Sequence, residues 1–278
     1  MALLNRPDTS LYYELAGTSG PPVLLVQGVG VTGEAWRRQV EVLSQTCRTL
    51  AFDNRGIGRS LPCAGLISIN AMAEDAFALM DAVGWESAHV VGHSMGGLIG
   101  QQMAIDAPGR VRSLACVCSF SRGKDAARLT LPVLWMGIRT RLGTRKMRRN
   151  AFLNILYSAD RLRRSDLPKL AAETSSLIGR DLADSPPILM KQLQACARHH
   201  LRLRLGELTS IPTLVVSAEF DVIARPEYGK DLAAAIPGAE FVLHAGVAHG
   251  NLLEQPAWLN ERLFKHFRAW ETADESRG

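Results

Sequence analysis

GHSMG, residues 92–96, is the stretch of this sequence that decides the fold. It stands between an apolar strand candidate at 88–92 and a helix candidate at 95–106. A sharp turn from a strand into a helix holds the central serine of such a motif in a strained conformation with its hydroxyl exposed. Ser94 is therefore the candidate nucleophile, because its surroundings are those that the motif requires.

The residues around Ser94 suit nucleophilic chemistry. Gly92 and Gly96 let the strand and the helix approach each other closely. The helix that begins at Met95 directs its first amides and its dipole toward the hydroxyl, where negative charge develops during the reaction. The backbone N–H of Met95 is thus a predicted oxyanion donor.

The sequence on either side alternates between short apolar runs and amphipathic stretches. Runs rich in Val, Leu and Ile without polar alternation are typical of a parallel sheet that is buried on both faces. Alternating strands and helices imply right-handed βαβ units, so the predicted fold class is α/β. The predicted strands are 22–27, 48–53, 88–92, 111–118, 211–217 and 240–244, and the predicted helices are 34–43, 71–83, 95–106, 227–235 and 257–270.

This alternation breaks at residues 121–208, which contain helical stretches and no convincing strand. The insertion has 18 Lys and Arg against 7 Asp and Glu, whereas the rest of the chain is acidic. Such a charge difference predicts an inserted module with its own surface. We therefore divide the chain into a core, 1–120 with 209–278, and a helical cap, 121–208. An apolar piece at 131–138 is predicted to be a buried cap helix.

The densest basic run, Arg139–Arg149, lies in the insertion. Its simplest interpretation is a solvated helix face. A docking face for an acidic acyl carrier or an anionic substrate is the main alternative. No nucleic-acid-binding motif and no interleaved aromatic residues accompany the run, so no nucleic-acid partner is predicted.

Several further segments match one known pattern. Beside the nucleophile elbow at 92–96, they are Gln27–Gly30, Asp53–Ser60, Asp221 and Ala248–Gly250. With them the chain resembles the α/β-hydrolase fold superfamily, in its esterase- and lactonase-like serine-hydrolase branch with an inserted helical cap. The resemblance covers nearly the whole chain outside the insertion. It implies a mostly parallel central sheet flanked by helices, and a catalytic triad in the order Ser94, Asp221, His249.

The resemblance assigns the general base to His249 and the acid to Asp221. A serine hydroxyl is a weak nucleophile until a neighbouring group takes its proton, and histidine titrates in the right range. The acid orients the imidazole and stabilises its cation. Glu219 is the alternative acid. The segment 118–120, where some relatives carry the acid, has no carboxylate.

The resemblance also places the second oxyanion donor, a backbone N–H, on Val29 in the oxyanion loop, residues 27–30. The family usually has a histidine where this chain has Gln27, so the hydrogen bonds inside the loop must differ. The Gly56 and Gly58 pair lacks the helix signature of a dinucleotide site, so no nucleotide site is predicted. The predicted supporting residues, which brace the elbow and the oxyanion loop, are Gly28, Gly92, Gly96, Asp53, Arg55 and Gly56.

The predicted function is hydrolysis of a small or medium carboxylic ester or lactone through an acyl-enzyme intermediate. Ser94 argues against relatives that open epoxides or displace halide, because they use a carboxylate nucleophile. No cofactor and no metal are predicted. The alternatives are a thioesterase or acyltransferase that acts on a carrier-bound acyl chain, a carbon–carbon bond hydrolase, and a ligand receptor on a hydrolase fold.

Composition sets the remaining limits. The 278 residues are 47% hydrophobic and 21% charged, which is typical of a globular protein. No apolar run approaches the roughly 20 residues of a membrane span. The five cysteines contain no CxxC pair, so neither a disulfide framework nor a zinc site is indicated. No secretory segment is recognised, and the predicted location is the cytoplasm.

Overall fold

The computed structural model describes residues 2–126 and 138–275. Eight strands form one sheet; they are β1 (Ala2–Asn5), β2 (Ser10–Ala16), β3 (Pro22–Val26), β4 (Arg48–Phe52), β5 (Ala88–His93), β6 (Val111–Val117), β7 (Thr213–Ala218) and β8 (Glu240–His244). Their order across the sheet is β1-β2-β4-β3-β5-β6-β7-β8. Strand β2 pairs antiparallel with β1 and β4, and all other neighbouring strands are parallel.

Helices connect and cover these strands. In the described residues they are α1 (Arg37–Leu43), α2 (Ile69–Ala82), α3 (Met95–Asp106), α4 (Gly123–Ala126), α5 (Arg145–Leu156), α6 (Ala159–Arg163), α7 (Leu167–Ile178), α8 (Leu189–Arg198), α9 (Pro226–Ala235), α10 (Asn251–Glu254) and α11 (Pro256–Glu275). Short 3₁₀ helices lie at Gly33–Trp36, Pro108–Arg110 and Leu205–Ser210.

The centre of the sheet is the core of the molecule. Strands β3, β5 and β7 are buried along their whole length, and α3, which packs on β5 and β6, is buried from Met95 to Ile105. Burial on both faces explains why these strands read as unbroken apolar runs. The predicted α/β class and mostly parallel sheet are confirmed, and each predicted strand begins within two residues of an observed one.

The insertion leaves and re-enters the core at adjacent points. The Gly123 N–H donates to the His199 carbonyl at 3.1 Å, and the Leu201 N–H donates to the Ser121 carbonyl at 3.0 Å. The regular elements that the structure describes between these ends are the helices α4 to α8. Residues 131–137 of the predicted apolar helix lie outside the described residues. Across 2–126 and 138–275, no helix combines the length and the apolar character needed to cross a membrane.

Candidate active site

The nucleophile elbow joins β5 to α3. Ser94 has φ 56° and ψ −119°, a left-handed conformation that a non-glycine residue rarely adopts. A Cβ on Gly92 would lie 2.2 Å from the Gly96 carbonyl oxygen, and a Cβ on Gly96 would lie 2.1 Å from the Val26 carbonyl oxygen. Only glycine fits at either position, so the spacing of the motif is a steric requirement of this turn.

Hydrogen bonds from the backbone and from one hydroxyl hold the strained serine. The Ser94 N–H donates to the Val117 carbonyl at 2.9 Å. The Ser94 carbonyl accepts from the Ser119 hydroxyl at 2.8 Å and from the Gly97 N–H at 3.0 Å. These bonds use the main chain of Ser94 and leave its hydroxyl available for chemistry.

The pair formed by His249 and Asp221 lies on two loops at the same edge of the sheet. The His249 Nδ1 lies 2.7 Å from Oδ2 of Asp221, and Oδ1 of Asp221 accepts from the backbone N–H groups of Ile223 and Ala224 at 2.8 Å each. Burial disfavours the charged carboxylate, but the His249 ring and the two backbone donors outweigh it and lower the pKa of Asp221. The ionised acid therefore fixes the ring with its Nδ1 proton toward Asp221 and Nε2 free to accept a proton.

The histidine inside the elbow, His93, contacts the candidate base, His249. Its Nε2–H donates to the His249 carbonyl at 2.9 Å, and the two ring centroids are 4.8 Å apart. Burial, together with the neighbouring His249, lowers the pKa of His93 to about 3. This contact between His93 and His249 becomes visible only in the folded chain.

Two further histidines, His89 and His244, are engaged in other contacts. His89 lies between Ser113 and Glu271 and stacks on Phe267. His244 stacks on Trp258, with ring centroids 3.7 Å apart. These contacts place both rings away from the nucleophile elbow and give them packing roles.

Buried neutral histidines are expected to make the protein acid-sensitive. Burial lowers the pKa of His266 to about 4, as it lowers that of His93 to about 3. Below about pH 6.5 the unfolded chain binds protons that the folded chain does not. The free energy of unfolding is therefore highest, as far as these histidines contribute, above about pH 6.5. It decreases as the pH falls toward 4. Urea unfolding at pH 7.5, 6 and 5 should give a decreasing free energy of unfolding.

Two glutamine variants separate this effect from the titration of carboxyl groups. His266→Gln should reduce the slope of unfolding free energy against pH, because it removes one proton-binding site. His89→Gln should reduce the slope as well, because burial lowers the pKa of His89 to about 3. A stability that is constant from pH 7.5 to 5 would contradict the expectation.

The oxyanion loop packs directly against the elbow. A Cβ on Gly28 would lie 3.0 Å from the Ser94 Cβ and 3.2 Å from the His93 carbonyl oxygen. The Gly28 N–H donates to Oε1 of Gln27 at 3.1 Å. Within the described residues, the amides of Val29 and Met95 donate to no protein acceptor. They are available for a negatively charged oxygen.

The loop after β4 is hydrogen-bonded to the oxyanion loop and to the segment that follows it. Oδ1 of Asp53 accepts from the Gly33 N–H at 2.8 Å, and Nδ2 of Asn54 donates to the Gln27 carbonyl at 2.8 Å. The buried Arg55 forms a bidentate ion pair with Asp75, at 2.6 and 2.8 Å. Its guanidinium is therefore engaged within the protein, as a structural role requires.

One cluster has the composition of a metal site. In the described residues, candidate ligand atoms of His93, Cys118 and His249 all lie within 4.8 Å of one another. His93 and His249 are hydrogen-bonded to the His249 carbonyl and to Asp221. Burial and then the Asp221 carboxylate raise the pKa of the Cys118 thiol well above its ordinary value, and a protonated thiol is a poor ligand. The cluster therefore overlaps the candidate triad through His249 and is not a candidate metal site.

The basic run is partly neutralised within the insertion. Arg145 pairs with Asp181 and Asp184 at 2.8 and 2.9 Å, and Arg149 also pairs with Asp181. Two of its cations therefore already have carboxylate partners. This pairing weakens the argument for a dedicated docking face for an acidic carrier.

Comparisons with known proteins give a consistent result. Residues 21–256 match the family model of the alpha/beta hydrolase fold. "Putative carbamate hydrolase RutD" of Azorhizobium caulinodans is 32% identical over 262 residues, which cover 92% of this chain and 94% of that protein.

Two solved structures extend the likeness. The enol-lactonase from Burkholderia xenovorans LB400 has a TM-score of 0.78 and 25% identity, and the match covers 94% of this chain and 97% of that one. A thermophilic esterase from Thermogutta terrifontis, solved with malate bound, has a TM-score of 0.77 and 25% identity, with 94% of each chain covered.

Proposed function

Because this chain belongs to the α/β-hydrolase fold family, we propose that it is a serine hydrolase that cleaves a small or medium carboxylic ester or lactone. The observation that carries the proposal is the elbow itself. Ser94 sits strained at the end of β5, while His249 and Asp221, 2.7 Å apart, follow β8 and β7 at the same edge of the sheet. This is the chain order and the placement that a hydrolase triad needs.

Acylation begins with proton transfer from Ser94 to His249. The His249 Nε2 accepts the hydroxyl proton while Oγ attacks the carbonyl carbon. The developing oxyanion accepts hydrogen bonds from the backbone N–H groups of Val29 and Met95. His249 then gives its proton to the leaving alcohol, or to the ring oxygen of a lactone, and the acyl group remains on Ser94.

Deacylation repeats the same steps with water. His249 takes a proton from water, the hydroxide attacks the acyl carbon, and the acid is released as Ser94 regains its proton. Asp221 stays ionised throughout and stabilises the histidine cation. Every proton is moved by a side chain of this chain, so the cycle needs no cofactor.

Support for the substrate class comes from the two solved relatives, an enol-lactonase and an esterase. Carbamates have the same type of reacting carbonyl, and a relative is named for their hydrolysis. Residues 121–208 are proposed to form the cap over the substrate. The cytoplasmic location stays a prediction from the sequence.

A chain-length series of p-nitrophenyl esters, from acetyl to dodecanoyl, tests the proposal. We expect many turnovers per enzyme molecule and an optimum of acyl length that measures the acyl pocket. A p-nitrophenyl carbamate and a simple lactone belong in the same series, to rank the carbonyl types. A single burst that stalls would overturn hydrolysis in favour of acyl transfer, and no release would favour a carrier-bound substrate or a receptor.

A further inference from the structure

We infer that Gln192, on helix α8 of the insertion, is a positioning residue for the oxyanion hole. The inference rests on the proposed function, because it assigns Gln192 a task in the same reaction. Its Oε1 accepts a hydrogen bond from the Gly30 N–H at 2.9 Å, across 162 residues of chain. The side chain is fully buried, so this bond is shielded from competing water.

Two glutamine side chains accept hydrogen bonds from the amides on either side of the proposed donor, the Val29 N–H. The Gly28 N–H is bound by Gln27, and the Gly30 N–H is bound by Gln192. The Val29 N–H between them has no protein acceptor among the described residues. Engaging both neighbours fixes the peptide planes around Val29 and leaves this single amide to serve the reaction.

Gly30 is held by the insertion on its carbonyl side as well. Nε of Arg180 donates to the Gly30 carbonyl at 3.3 Å. Gly30 has φ +70°, and a Cβ there would lie 2.9 Å from Cδ1 of Leu189. The last residue of the oxyanion loop is therefore enclosed by α8 and by the segment that precedes it.

The insertion also binds Thr32, two residues beyond Gly30 in the chain. The Thr32 N–H and hydroxyl both donate to the Ile178 carbonyl, at 3.4 and 3.1 Å. The end of α7 and the start of α8 thus hold the chain at Gly30 and again at Thr32. The insertion positions an element of the catalytic machinery in addition to covering it.

The Gln192→Met variant tests this role, because methionine keeps the length and volume but removes the acceptor. We expect kcat to fall about tenfold to a hundredfold, less than the loss of a whole oxyanion donor. KM should change by less than about twofold, since the ground-state pocket is kept. The matched control is Gln194→Met on the exposed face of the same helix, which should behave as wild type.

Labelling with a fluorophosphonate gives a second readout that needs no knowledge of the substrate. Oγ of Ser94 attacks phosphorus, the phosphorus–fluorine bond breaks, fluoride leaves, and His249 takes the serine proton. The phosphoryl oxygen occupies the oxyanion site, so the labelling rate of Gln192→Met should fall by the same factor as kcat. Thermal unfolding must show that the variant is folded.

The Arg180→Met variant tests the same role, because it removes the other hydrogen bond from the insertion to Gly30. Its effect on the labelling rate should be less than additive with that of Gln192→Met, because both act through Gly30. If wild-type protein is labelled at Ser94 and Gln192→Met is labelled equally fast, the inference is wrong and the proposed function stands. If wild-type protein is not labelled at all, the proposed function fails first.

Discussion

Replacing Ser94 with alanine is expected to lower kcat for the best ester about 10⁶-fold, the scale seen when a triad nucleophile is removed from a serine protease. The variant has no oxygen to attack the carbonyl, while the oxyanion donors and the binding pocket stay in place. The measurement is steady-state release of p-nitrophenol, with enzyme concentrations high enough to detect the residual rate.

The fold should tolerate this change. The hydrogen bonds that hold residue 94 use its N–H and its carbonyl, and both are retained in alanine. The matched variant is Ser119→Ala, which removes the neighbouring hydroxyl that donates to the Ser94 carbonyl. Losing one hydrogen bond of this kind should slow the reaction by no more than about tenfold. Turnover by Ser94→Ala within tenfold of wild type would remove Ser94 from the mechanism.

The elbow was predictable because its determinants are local. The strand β5, the turn and the helix α3 are adjacent in sequence, and the two glycines are required by contacts within a few residues of Ser94 or with the neighbouring strand. The helix predicted at 95–106 is the helix observed. The buried parallel strands were equally predictable, because a strand that is buried on both faces has an unbroken run of apolar residues.

The antiparallel edge of the sheet was missed for a physical reason. Strand β2 contains polar and aromatic residues without regular alternation, and β1 is a short edge strand that is mostly exposed. Edge strands have only one hydrogen-bonded neighbour and need no continuous apolar face. Strand β1 pairs with β2, and β2 in turn pairs with β4, which lies far along the chain.

The residues of the proposed triad and the residues that support them differ in how far the sequence could predict them. Ser94, Asp221 and His249 could be named because each lies in a motif that marks its own loop. Gln192 carries no such mark, because its significance comes from a hydrogen bond to Gly30 made only in the folded chain. The bond from His93 to the His249 carbonyl likewise depends on the tertiary structure.

Replacing Asp221 with asparagine is expected to lower kcat about 10⁴-fold, the loss measured for the equivalent change in a serine protease triad. Oδ1 can still accept from the Ile223 and Ala224 amides, which fixes the orientation of the new carboxamide. Its NH₂ group then faces Nδ1 of His249. The ring must present an unprotonated Nδ1 to this donor, so its proton moves to Nε2, where it blocks acceptance of the serine proton.

Glu219→Gln is the matched control, because Glu219 was the alternative acid on the same loop. Its carboxylate is exposed and accepts from the Gly246 N–H at 2.8 Å, a bond that the glutamine oxygen can keep. Activity of this variant should stay within about twofold of wild type, as for most surface substitutions. A large loss in Glu219→Gln with full activity in Asp221→Asn would exchange the two assignments. The 2.7 Å contact of Asp221 with His249 and its burial argue for the first outcome, since only a fixed and ionised acid can select the tautomer that catalysis needs.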